Sequence, residues 1–185
     1  MLDNNISKII RQRKSIFPSH FNNKKISKKI ILELLINANT APSHKLTQPW
    51  FFKIFSENSK FKLAEEIHKT QCNNNEEALQ RLKQKFDNSS HIICICMRRH
   101  EKKIIPEWEE IAATAMAVQN IWISCVNSNI GGYWSTPKGI DKLSTFLKLK
   151  KNEKCLGLFY LGIYDCPQTR NIPRKNIIDE TEWFN

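Results

Sequence analysis

Three observations predict an α+β chain. Apolar runs of strand length, "WFFKIF", "HIICICM" and "CLGLFYLGIY", are set among segments whose apolar residues recur at helical spacing. At 41% hydrophobic over 185 residues, with only 5 Gly and 7 Pro, the composition excludes fibrous and disordered classes and suits one domain over residues 1–185. No segment reaches the roughly 18 apolar residues of a membrane span, and "MLDNNISKII" holds no apolar run of signal-peptide length, so a cytoplasmic protein without membrane contact is expected.

"NISKIIRQRKS" places Ile6, Ile9 and Ile10 on one helical face, and Pro18 breaks the pattern. "ISKKIILELLINANT" repeats the period with Ile26, Ile30, Leu34, Leu35 and Ala38, and Ser27 is its candidate cap. "WFFKIF" then reads as a strand closed by the turn "SENS". "FKLAEEIHK" and "NEEALQRLKQKF" read as amphipathic helices with polar backs, and "HIICICM" as a buried strand.

Pro106 opens the longest helix, with Glu107, Glu109 and Glu110 in its first two turns, as the positive end of a helix dipole favours. From Ile111 to Val126 its apolar residues wrap almost the whole circumference. A helix of that kind is expected to be covered on all sides, here by a second subunit. "IGGYWSTP" reads as a glycine-paired connection, "DKLSTFLKL" as a short helix and "CLGLFYLGIY" as a strand. Trp183 and Phe184 imply a C-terminal tail that docks.

Formal charge is +11, but 22 of the 29 basic residues are lysine and they are scattered, which argues against nucleic acid, where arginine's planar fork is favoured. Attraction of anionic small molecules is the milder consequence. The six cysteines (Cys72, Cys94, Cys96, Cys125, Cys155, Cys166) form no C-x-x-C pair and most sit in apolar runs, so they read as buried thiols and no metal is assigned. No triad or paired-carboxylate spacing suggests hydrolysis.

"APSHKLTQPW" (residues 41–50) poses the functional question. A plain helix-to-strand connection needs neither two prolines nor the donors of Ser43, His44, Lys45, Thr47 and Gln48. The basic "RQRKS", this loop, the alanine-rich helix running into "GGYW", and the "GLFYLGIY" strand come in an order that resembles the FMN-dependent nitroreductase family, in its minimal, YdjA-like branch. The resemblance runs from about Ile9 to about Glu182.

It implies a nitroreductase-like fold: a central, mostly antiparallel sheet flanked by helices, in a homodimer with a long buried interface helix and FMN shared between subunits. It implies NADH or NADPH as electron donor and a small-molecule acceptor, with nitro and quinone-like compounds among the candidates. By the resemblance, Arg13, Lys14 and Ser15 bind the flavin phosphate, joined by Arg174 or Lys175, because Phe17 stands where the family often has a further arginine. Thr40, His44, Lys45 and Gln48 contact the ring, often from the partner, and Trp134, Ser135 and Thr136 run along its other face or edge. Residues 124–129 (Ser124, Cys125, Val126, Asn127, Ser128, Asn129) lie near the nicotinamide. The relatives' W-R-S-G is W-S-T-P here, which loses an arginine and a backbone donor at Pro137. A flavin binder without turnover, for storage or sensing, is the rival reading, and a basic nucleic-acid-binding domain a further one.

Overall fold

Ser27 starts the second helix as its side chain predicts: its Oγ accepts the N–H of Ile30 at the helix N-terminus. The structure is a computed structural model that describes residues 4–71, 75–165 and 172–184. Cys72 and Cys166 lie outside the described residues. In chain order the elements are α1 (Asn4–Gln12), α2 (Lys28–Ala38), β1 (Trp50–Ser56), α3 (Asn58–Thr70), α4 (Glu76–Asn88), β2 (His91–Arg98), α5 (Glu107–Ser124), β3 (Ile130–Ser135) and β4 (Glu153–Ile163).

The four strands form one antiparallel sheet in the order β1-β2-β4-β3. β2 is buried from Ile92 to Met97 because both sheet faces are covered, which is why its sequence reads as continuously apolar. Successive side chains alternate between two cores. Ile93, Ile95, Phe159 and Leu161 meet Ala113, Ala117 and Ile121 of α5 together with α2. Ile92, Cys94, Cys96, Leu158 and Tyr160 meet Leu63 and Ile67 of α3 and Phe86 of α4. The four described cysteines are free, buried thiols, and burial pushes Cys125 up to about 12.

β3 was expected to be a connection and is instead the edge strand. Its glycines hid it, and packing demands at least one of them: a Cβ on Gly132 would fall 2.3 Å from the ring of Phe159. A register shift between Ile95 and Cys96 leaves an extra residue on β4, and at Gly157 (φ +155) the indole of Trp134 fills the space a side chain would take.

Two further expectations change. "DKLSTFLKL" forms only a 3-10 turn over Ile140–Ser144. Trp183 and Phe184 are 83% and 91% exposed, so the aromatic end of the tail does not pack on its own chain, whereas Ile172 and Arg174 at the start of the same segment lie beside Arg13.

α5 is the element on which the assembly question turns. Ala113, Thr114, Ala117, Val118 and Ile121 are buried, whereas Trp108, Ile111 and Met116 are exposed, so a single chain does not cover the helix on every side. On α2, which packs beside it, Leu32 and Ile36 are exposed too. The start of α5 is tied inward by buried Glu110, which pairs with Arg99 and accepts the His100 N–H at 2.9 Å, while Arg99 donates to the Ile105 carbonyl at 2.6 Å. Among the described residues no helix is long and apolar enough to cross a membrane.

Candidate functional site

The segment after α1 runs along the free edge of the sheet: the Ile16 N–H donates to the Gly132 carbonyl at 3.0 Å, extending β3 by one contact. That pairing puts Arg13 and Lys14 at one end of β3 and Phe17 at the other, and a cavity opens at each end.

The first cavity, about 870 Å³, brings Arg13, Lys14 and Arg174 together beside Gly131, Gly132 and Trp122. The Arg13 guanidinium lies 4.7 Å over the indole of Trp122, whose Nε1–H is spent on the Gly132 carbonyl at 3.1 Å. Burial first, and then the neighbouring Arg174 charge, lower the Arg13 pKa from its ordinary value. Neither guanidinium meets a carboxylate among the described residues. Two like charges turned into one cleft without a counter-ion suit an anion with several oxygens.

The same cavity is bounded by Cys125, Val126, Asn127 and Ser128, so four of the six residues linked to the nicotinamide share it with the phosphate candidates. Their turn is fixed locally: Ser128 Oγ donates to the Cys125 carbonyl at 2.7 Å and the Tyr164 hydroxyl donates to the Ser128 carbonyl at 3.2 Å. Ser124 and Asn129 do not line it, and Ser124 Oγ is occupied by Asn37 and the Asn120 carbonyl. Ser15 borders the segment without lining the cavity. Lys175 points to Glu180 at 2.8 Å instead.

The second cavity, about 460 Å³, is walled by Phe17, Tyr133 and Tyr160, with ring centroids 4.7 Å apart for the first pair and 5.9 Å for the second. Ser135 sits on its strand side, and Arg81, Gln84, Lys85 and Asn88 of α4 form its polar rim. Burial above all raises the pKa of the Tyr160 phenol, which therefore stays protonated. Thr136 lines neither cavity, and Trp134 has turned its indole onto Gly157 in the core. Arg81 and Lys85 were missed because a cationic α4 back reads as a solvated face; their i, i+4 spacing beside Gln84 and Asn88 was the available signal.

The 43–48 loop is the third part. Lys45, Leu46 and Gln48 all have positive φ (52°, 52° and 40°), a conformation that costs a non-glycine residue about 1–3 kcal/mol. The loop is held by three ties: His44 Nδ1 to Glu109 Oε2 at 2.5 Å, Lys45 Nζ to the Ile104 carbonyl at 3.4 Å, and the Gln48 N–H to Ser43 Oγ at 3.1 Å. Thr47 Oγ1 is buried and unpartnered. Thr40 Oγ1 is already bonded to the Asn37 carbonyl and the Asn120 amide. None of Thr40, His44, Lys45 and Gln48 lines either cavity of its own chain.

Comparison with known proteins matches this arrangement. The chain is 27% identical over 164 residues, 85% of its length and 83% of the relative's, to the "Putative NAD(P)H nitroreductase YfhC" of Bacillus subtilis. It is 25% identical, over 76% of its length and 78% of the relative's, to the "Putative NAD(P)H nitroreductase YdjA" of Escherichia coli. Its fold superposes with a TM-score of 0.84 on a nitroreductase-like family protein from Bacillus cereus, at 23% identity over 100% of this chain and 98% of that one. It also superposes at 0.77, with 18% identity and complete coverage of both chains, on a "putative nitroreductase in complex with fmn" from Desulfovibrio desulfuricans. The family model for the nitroreductase family matches residues 10–163. With sheet, cleft and loop arranged as above, this chain belongs to the nitroreductase family, a family of oxidoreductase enzymes.

Proposed function

We propose that the chain is an FMN-dependent NAD(P)H oxidoreductase that works as a homodimer. The observation that carries this is the pair of guanidiniums, Arg13 and Arg174, facing one cavity with no carboxylate paired to either among the described residues. A phosphate monoester carries close to two negative charges and three acceptor oxygens, which this donor set fits. Lys14 and Ser15 stand in the same segment.

From Arg13 to Phe17 the chain advances four residues, a reach of about 13 Å in extended backbone. The phosphate and the ring of one FMN can thus sit at opposite ends of the same segment. The ring end belongs with Phe17, Tyr133 and Ser135, where Arg81 and Lys85 offer positive charge to its carbonyl edge. FMN held there would supply hydride chemistry at its N5, between NADH or NADPH as donor and a nitro or quinone-like acceptor, in ping-pong order.

The 43–48 loop has its role in the partner subunit. Its strained backbone is rigidly held yet turns Leu46, 80% exposed, and the His44 ring outward from its own chain. The exposed apolar faces of α2 and α5, and the uncovered Ile177, Ile178, Trp183 and Phe184 of the tail, are the surfaces a second copy would bury. Gln48 and Lys45 would then meet the ring across the interface.

Calorimetric titration with FMN beside riboflavin tests the phosphate clamp. FMN is expected to bind at least about 100-fold tighter, the size of two charge-assisted hydrogen bonds. Equal affinities would remove the clamp from the account.

A further inference from the structure

We propose that Glu109 is a positioning residue for His44: its carboxylate holds Nδ1 of the imidazole, so that Nε2 is the nitrogen the 43–48 loop presents to the flavin of the partner subunit. The inference rests on the flavin site argued above and adds a residue that lies outside both cavities.

The geometry is specific. Glu109 Oε2 lies 2.5 Å from His44 Nδ1. An ionised carboxylate only accepts, so Nδ1 must carry the proton. In a neutral imidazole that leaves Nε2 as an acceptor, and in the charged ring as a donor; the nitrogen that faces outward is the same in both states. The carboxylate side chain is 21% exposed and the ring 56%, so the anchor is sheltered while the ring is open.

The anchor also comes from a rigid element. Glu109 sits in the first turn of α5, one residue before buried Glu110, whose ties to Arg99 and the His100 N–H fix that turn. The loop it holds has three residues at positive φ; beyond its own turn bonds, from the Leu46 N–H to the Ser43 carbonyl and the Thr47 N–H to the His44 carbonyl, it is tied at His44, Lys45 and Gln48. Lys45 Nζ of the same loop is on the Ile104 carbonyl, and no second carboxylate is paired with His44 among the described residues.

Two measurements test this, one of which needs no cofactor. In the apo protein, long-range proton–nitrogen NMR at about pH 9, above the ordinary imidazole range, reads the His44 tautomer directly. The Nδ1–H form is expected in the wild type and in Glu109→Gln, whose amide oxygen still accepts, and the Nε2–H form in Glu109→Ala. An Nε2–H wild type overturns the proposal.

In the FMN-loaded protein, Glu109→Ala is expected to weaken FMN binding about tenfold, the size of one positioned hydrogen bond, with Glu109→Gln restoring most of it. In a His44→Ala background the same Glu109→Ala change is expected to have no effect, because the group it positions is gone. A tenfold loss that persists without His44 assigns Glu109 a merely structural role at the start of α5 and overturns the positioning role. A wild type that binds no FMN overturns the flavin reading itself, and is seen before any Glu109 variant is made.

Discussion

Arg13→Ala weakens FMN binding by about 30-fold and Arg174→Ala by a similar factor, since a hydrogen bond to a charged group contributes about 1.5–3 kcal/mol. Both side chains line the first cavity, and neither is in an ion pair with a carboxylate among the described residues. The melting temperature of the apo protein should therefore move by no more than about 2 °C, as for other partly exposed positions. Losing Arg174 even relieves a like-charge contact, because its charge contributes to lowering the Arg13 pKa. Arg13→Lys keeps the charge but not the planar fork, so it should fall between the wild type and alanine. Titration with riboflavin is the control: its affinity should be nearly untouched by either change. If riboflavin and FMN weaken together, the arginines support the cleft's shape and do not bind phosphate.

If the proposed homodimer is correct, Met116→Glu is expected to convert it from twice 21.7 kDa to a 21.7 kDa monomer and to remove bound FMN with it. Met116 is 41% exposed in the single chain, so the new carboxylate costs the monomer fold little. In a dimer built on the outward faces of α2 and α5 it would be buried without a partner, at a cost of several kcal/mol. FMN loss is expected to follow because the loop that carries His44, Lys45 and Gln48 lines neither of the two cavities described above. Light scattering coupled to gel filtration reads the mass and the visible band reads the flavin. A variant that stays dimeric places the interface elsewhere, and a monomer that keeps FMN makes the site complete within one chain.

Where burial is two-sided the sequence was legible. β2 and β4 announced themselves as apolar runs, the half-buried edge strand β1 did so through its aromatics, and the Ser27 cap placed the start of α2. β3 was not legible, because an edge strand that must admit Phe159 and the segment at Ile16 uses glycines, which locally read as a turn. The tail aromatics were expected to dock and α1 was read as presenting one apolar face, but Ile6, Ile10, Trp183 and Phe184 are exposed in the single chain; periodicity reports a face and not what covers it.

The site divides in the same way. Arg13 and Lys14 meet Arg174 in space although about 160 residues separate them, and only a family pattern could have joined them. Arg81 and Lys85 lay hidden in an ordinary charged helix face, and the Glu109–His44 contact spans 65 residues. Trp134 was read as a flavin contact on the strength of its motif. Its indole packs over Gly157, so that loop has Ser135 alone of its three candidates on a cavity wall.

The most direct test of the central claim is the visible absorption spectrum of the purified protein, loaded with FMN and desalted, then mixed without oxygen with NADH and next with NADPH. A retained flavin band that bleaches with at least one donor and recovers on adding a quinone or nitroaromatic acceptor is the predicted result. A retained band that bleaches with neither donor contradicts the NAD(P)H oxidoreductase and leaves a flavin-binding protein without that turnover.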